Sequence, residues 1–145
     1  MEYSQLVKEA FIARERAYAP YSHWKVGAAL LTKDGKVYHG CNIENSGFTA
    51  TVCAERTAFF KAISEGVYDF AAIAIVGGDE KEGVNGYCFP CGVCRQVMSE
   101  FCDPDNFTVI VGKDEQNYKV NPLRTLLPEV NFVASDEGYG FKSLQ

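Results

Sequence analysis

A chain of 145 residues, 47% hydrophobic and 23% charged, has the size and balance of one soluble domain around one core. A net charge of −5 and a pI near 5.0 argue against a polyanion partner, because nucleic-acid binders carry a basic face. No apolar run approaches the length needed to span a bilayer, so neither nucleic acid nor membrane is expected as a partner.

The first expected element is a helix from Tyr3 to Tyr18. Leu6, Val7, Ala10, Phe11, Arg14 and Ala17 recur at three- and four-residue steps, with Ser4 as its cap. Pro20 stops it, and Ala19-Pro20-Tyr21-Ser22 reads as a turn. Lys25 to Leu31 is a strand, Thr32 to Gly35 a hairpin turn, and Lys36 to Cys41 the returning strand. Gly27, Ala28 and Ala29 leave little side chain on that first strand, so another element can approach closely.

A polar loop follows, Asn42 to Phe48. Asn donates, Glu accepts, and the pair suits recognition of vicinal hydroxyls. On spacing alone the plainer reading is favoured, with Asn45-Ser46-Gly47 as turn chemistry and Glu44 as a solvated charge. Ala54 to Gly66 is a second helix closed by Gly66, and Phe70 to Val76 is a buried strand. Gly77 to Gly83 reads as an exposed acidic loop. Gly92 to Glu100 is a third helix, Phe107 to Val111 a buried strand, and Tyr118 to Val120 a short edge strand. Pro122 opens a final helical turn through Leu127, and Phe132 anchors the tail. This order predicts an α/β protein in one domain, residues 1–145. The expected fold is a three-layer α/β/α sandwich, a mixed sheet of about five strands with helices on both faces.

Cys53-Ala54-Glu55 and Pro90-Cys91-Gly92-Val93-Cys94 organise this chain. Cys53 opens one helix and Cys91 and Cys94 open another. A helix N-terminus lowers a cysteine pKa, and the thiolate is the form that binds zinc. Two facing helix starts could hold three thiolates around one Zn2+ and leave a fourth position for water, the mark of a catalytic site. Glu55 then stands beside the metal as a proton shuttle. Three thiolates carry excess negative charge, and Arg56 is placed to draw it off by hydrogen bonding. Cys41, Cys88 and Cys102 read as free thiols packed as small hydrophobes. A disulfide framework is disfavoured: no charged and apolar leader opens the sequence, and C-x-x-C outside secreted chains reads as metal or redox chemistry. A four-cysteine structural site that includes Cys88 would leave Glu55 without a role. His23 and His39 lack metal-pair spacing.

C-A-E followed by P-C-x-x-C is the known three-cysteine form of the zinc deaminase signature. From about Tyr18 to Phe132 the sequence resembles the small homotetrameric cytidine deaminases. The resemblance rests on Ala19-Pro20-Tyr21-Ser22, Val26-Gly27-Ala28-Ala29, Gly40-Cys41-Asn42-Ile43-Glu44-Asn45, Cys53-Ala54-Glu55-Arg56-Thr57-Ala58, Pro90-Cys91-Gly92-Val93-Cys94-Arg95-Gln96 and Leu126-Leu127-Pro128. It implies that Cys53, Cys91 and Cys94 bind one Zn2+ per chain and that Glu55 shuttles protons. It implies that Asn42 and Glu44 hold the ribose, chiefly its 3′ hydroxyl, which reverses the plainer reading of that loop. It further implies that the Ala54 backbone and Glu55 meet the pyrimidine edge, that Trp24 and Phe132 wall the base, and that Phe48 reaches a neighbouring subunit's site.

The activity so implied is hydrolytic deamination of cytidine and deoxycytidine in pyrimidine salvage, by a cytoplasmic homotetramer with sites at subunit interfaces. Two residues depart from the family pattern: Trp24 where Phe is usual, and Phe48 where Tyr is frequent. The competing expectations are a nucleoside-antibiotic deaminase of the blasticidin S type, a base or tRNA editor, and a non-enzymatic zinc module. The Asn42-Ile43-Glu44 loop and the acidic charge favour the nucleoside enzyme.

Overall fold

The computed structural model describes residues 1–129, so Phe132 and the tail expectations lie outside the described residues. Its elements are α1 (Tyr3–Arg14), β1 (Trp24–Thr32), β2 (Val37–Cys41), α2 (Ala54–Ser64), β3 (Phe70–Asp79), α3 (Gly92–Phe101), β4 (Thr108–Gly112), β5 (Tyr118–Pro122) and α4 (Leu123–Leu126). The strands form one five-stranded sheet in the order β2-β1-β3-β4-β5. Only β3 and β4 pair in parallel; the other neighbours are antiparallel. Among the described residues no helix is long and apolar enough to cross a membrane.

Successive side chains of a strand face opposite ways, and that alternation builds the two helical layers. Ala29, Ala72, Ala74, Val76 and Ile110 cluster with Leu6, Val7 and Ala10 of α1 on one face. Ala28, Leu30, Ile73, Ile75, Val109 and Val111 cluster with Ala54, Ala58, Phe59, Cys94, Met98 and Leu123 on the other. Helices therefore cover both faces, as expected. Phe59 is fully buried and meets Phe70 edge-on at 5.0 Å and Phe107 at 6.0 Å. Burying a phenylalanine of this kind stabilises by about 1.5–3 kcal/mol and pins α2 to the sheet.

Two glycines set the depth of the helices. A Cβ on Gly27 would stand 2.1 Å from the Ala10 carbonyl oxygen, so the bare strand admits the α1 backbone. A Cβ on Gly40 would stand 2.2 Å from the Ala54 carbonyl oxygen and 2.5 Å from Ala58 N. Gly40 thus seats the first turn of α2 directly on the sheet.

Three local expectations are corrected. The first helix ends at Arg14 rather than Tyr18: beyond it the Arg16 and Ala17 N–H groups bond only three residues back, to the Ala13 and Arg14 carbonyls, and the Arg14 side chain is held by the sheet. Its Nε donates to the Lys25 carbonyl at 3.0 Å, and its Nη2 donates to the Gly78 and Asp79 carbonyls at 2.9 Å each. Tyr18 then bridges to Ile43 instead of continuing a helix. Ser4 does not cap α1; the capping position is Glu2, without a side-chain cap. Gly77 and Gly78 are buried strand residues of β3, paired with Val26 and Lys25, rather than loop. They are bare because a Cβ on Gly77 would meet Cys88 Sγ at 2.7 Å, and one on Gly78 the Gly83 carbonyl oxygen at 2.2 Å.

Candidate active site

Cys53 occupies the N-cap position of α2 and Cys91 that of α3, both with extended backbone. Cys94 lies in the first turn of α3 and is buried. The two helix starts converge. Cys53 Sγ lies 3.7 Å from Cys91 Sγ, which lies 3.6 Å from Cys94 Sγ, and all three sulfurs fall within 4.8 Å of one another. Three sulfurs at about 2.3 Å from one tetrahedral Zn2+ would be about 3.8 Å apart, so the donor set and its spacing fit one zinc ion. Cys94 is buried, Cys53 half-buried and Cys91 exposed, so the cluster runs from the interior to solvent. Cys88 is not part of it.

The charges are graded across the cluster. The Cys94 thiol, by hydrogen bonding to Cys53, together with Arg56 and Cys91, draws Cys53 down to about 5 against the opposing effect of burial. Cys94 is pushed up in return, first by that same hydrogen bond and then by burial. Arg56 Nη2 donates to Cys53 Sγ at 3.4 Å. Its Nε is buried without a partner among the described residues. Glu55 follows in the first turn of α2 and is 4% exposed. Burial pushes its carboxyl up to about 7, and the Cys53 charge adds to the effect. A carboxyl poised there can take and give a proton near neutral pH.

The expected sugar loop lies against the start of β1 and the turn before it. Asn42 is 8% exposed; its Oδ1 accepts from Val26 N at 2.9 Å and its Nδ2 donates to the Trp24 carbonyl at 2.8 Å. Glu44 Oε1 accepts from the Tyr21 and Ser22 backbone N–H groups at 3.0 and 3.1 Å, and Oε2 from the Ser22 hydroxyl. Trp24 is half exposed at the start of β1. Phe48 sits in a single 3-10 turn, Phe48–Ala50, and is 91% exposed, so it lines no site within its own chain. His23 and His39 pair with Glu80 and Glu9, away from the thiols. A shallow cavity lined by Thr32, Asp34 and Gly66 to Asp69 lies at the other end of β1 and carries none of these groups.

Two residues have a part beside the site that the sequence reading, with Ser22 in a turn and Cys88 as a packed free thiol, does not assign them. Ser22 ties Glu44 to the Trp24 backbone. Cys88 is pushed up to about 11 by burial, with the Glu55 charge adding and a hydrogen bond from Trp24 opposing. The one signal for Cys88 is Gly77, whose missing side chain makes its room.

Comparisons with known proteins point to one family. The family model described as the cytidine and deoxycytidylate deaminase zinc-binding region matches residues 1–111. The chain is 50% identical over 136 residues to a cytidine deaminase of Halalkalibacterium halodurans, covering 94% of this chain and 98% of that one. It is 56% identical over 103 residues to a cytidine deaminase of Sporosarcina psychrophila, covering 71% and 72%. The crystal structure of cytidine deaminase from Burkholderia pseudomallei superposes with a TM-score of 0.81 at 46% identity, over 90% of this chain and all of that one. With three thiols at zinc spacing, a buried carboxyl beside them and these relatives, the chain belongs to the cytidine and deoxycytidylate deaminase family.

Proposed function

We propose that this chain, as one catalytic domain over residues 1–145, hydrolyses cytidine and deoxycytidine to uridine and deoxyuridine with release of ammonia. The observation that carries the reading is the placement of buried Glu55 directly after a ligand of a three-sulfur zinc cluster. Cys53, Cys91 and Cys94 hold the metal. When bound, zinc supplies a Lewis acid that makes hydroxide available near neutral pH.

Glu55 moves the protons. Its carboxylate takes one from the attacking water and delivers it to pyrimidine N3, which makes C4 electrophilic. With the water oxygen bonded to C4, it then carries the remaining proton of that hydroxyl to the exocyclic nitrogen, so that the C4–N bond breaks, the C4–O bond becomes the carbonyl and ammonia leaves. Arg56 holds the Cys53 sulfur and offsets the negative charge of the cluster. Asn42 and Glu44 receive the ribose, chiefly the 3′ hydroxyl. The Ala54 backbone and Glu55 meet the polar edge of the base. Trp24 walls one side of it.

The reading extends to a cytoplasmic homotetramer of pyrimidine salvage, with sites at subunit interfaces. What supports an assembly is the exposure of Phe48, Tyr18, Tyr21, Trp24, Phe89 and Val93, a set of large apolar residues unusual for a free surface. An ultraviolet assay on cytidine, deoxycytidine, cytosine, adenosine and blasticidin S, with Glu55→Gln alongside, tests the function. Turnover of both cytidine nucleosides, abolished in Glu55→Gln, is expected. Turnover of blasticidin S alone would overturn the substrate reading, and inactivity of zinc-loaded protein on every substrate would overturn the enzyme.

A further inference from the structure

Ser22 sits in the turn before β1 and is exposed. Its hydroxyl is shared by two groups. It donates to Glu44 Oε2 and accepts from Trp24 N at 3.0 Å. Acceptance from the residue two positions on closes a local turn. His23, between them, has φ 60, the left-handed region that a non-glycine residue seldom adopts. That reversal turns the Trp24 N–H back onto Ser22. It is clamped on both sides: His23 N donates to the Ala19 carbonyl at 3.0 Å, and Glu80 N donates to the His23 carbonyl at 2.8 Å. Backbone strain held by its surroundings in this way marks a functional position.

The Glu44 carboxylate is ordered by three donors: the N–H groups of Tyr21 and Ser22 and the Ser22 hydroxyl. The Ser22 hydroxyl is the foremost of the causes that hold its acid well ionised. An ionised carboxylate only accepts hydrogen bonds, so its remaining capacity suits a hydroxyl donor such as a sugar 3′-OH. Asn42 is fastened to the same tryptophan through the Trp24 carbonyl. Both sugar-reading side chains thus meet at the backbone of the aromatic wall, one directly and one through Ser22.

We propose that Ser22 is a positioning residue for nucleoside recognition: its hydroxyl locks the Glu44 carboxylate to the Trp24 backbone, so that sugar and base are read in one fixed relation. The proposal rests on the assignment of Glu44 to the ribose. A sugar contact fixed before and during the reaction lowers KM without raising kcat.

The test is steady-state kinetics of the zinc-loaded enzyme on cytidine and 3′-deoxycytidine, for wild type, Ser22→Ala, Ser22→Thr, Glu44→Gln and the Ser22→Ala/Glu44→Gln double variant. Ser22→Ala should raise KM for cytidine about tenfold with kcat held within about twofold. The preference for cytidine over 3′-deoxycytidine should narrow by a similar factor. Ser22→Thr, which keeps the hydroxyl, should restore both. In the double variant, loss of Ser22 should add less than about twofold, because the two residues act as one unit.

A Ser22→Ala enzyme with unchanged KM and sugar preference, beside a Glu44→Gln enzyme that has lost that preference, overturns the proposal and leaves the ribose assignment standing. Ser22→Thr as damaged as Ser22→Ala would also overturn it, since the hydroxyl would then not be the active feature. A Glu44→Gln enzyme that keeps its sugar preference overturns the ribose assignment and the proposal with it.

Discussion

The Arg56 guanidinium lies one turn beyond Cys53 on α2 and donates to its sulfur across 3.4 Å. Its Nε is buried and unpaired among the described residues. Hydrogen bonds from outer partners tune the basicity of a metal's ligands, and their loss typically costs 10- to 100-fold in metal affinity or activity. Arg56→Ala is therefore expected to keep its melting profile with zinc in excess, and to lose zinc to a competing chelator or turn over about tenfold or more slowly. Zinc content after chelator challenge and kcat check this. Full occupancy with unchanged kinetics would refute the role.

Glu55→Gln keeps the shape of the side chain and removes the proton carrier. Zinc should stay at one per chain, since Glu55 is not among the three clustered donors. Activity should fall by about 10²- to 10⁴-fold, the usual worth of a positioned acid–base group. Turnover within tenfold of wild type in a zinc-replete variant would remove Glu55 from the chemistry.

The same substitution should stabilise the zinc-free protein in a pH-dependent way. Burial holds the folded Glu55 acid near 7 against an ordinary 4.5. Below 4.5 the carboxyl is neutral in both states and carries no penalty. Between 4.5 and 7 the unfolded chain releases the proton first, so stability falls as pH rises. Above 7 the penalty is complete, about 3 kcal/mol. Glu55→Gln should melt higher than wild type at pH 8, and the gap should close as pH falls towards 4.5. Equal melting temperatures at pH 8 would contradict a buried, ionised Glu55.

Gly40→Ala should damage the site from beneath. Its new methyl would overlap the Ala54 carbonyl and the Ala58 nitrogen, backbone that cannot swing away. The α2 start must lift, with a stability loss of about 1–3 kcal/mol and weaker zinc binding through displaced Cys53. Gly66→Ala serves as the control. Its φ of 85 strains an alanine, but nothing lies within 4 Å of the added methyl. It should lose about 1 kcal/mol and bind zinc normally. Melting curves paired with zinc titrations separate the two.

The layers of the fold were legible because burial wrote them as period: Phe70 to Val76 read as a buried strand, and Cys53 and Cys91 as the openers of two helices whose thiols could meet at a metal. The misreadings share a cause. Arg14 sits at a helical spacing that fits a core face, yet its guanidinium turns to three carbonyls at the sheet end. Gly77 and Gly78 look like loop because glycine seldom builds strands, yet here the missing side chains admit Cys88 and the Gly83 backbone. Ser22 reads in sequence only as a turn residue, since the partner that gives it a further part, Glu44, lies 22 residues away. A contact of that kind exists only once the chain has folded.

Cys53 and Cys91 lie 38 positions apart, and the segment between them contains β3, which pairs with β1 on one side and β4 on the other. A metal held by both sulfurs therefore acts as a clasp around the innermost strand. By the chain-entropy relation for a cross-link, closing such a loop takes about 4 kcal/mol of freedom from the unfolded chain. The atom that serves chemistry would then also restrain unravelling, so heat inactivation and metal escape should proceed as one event.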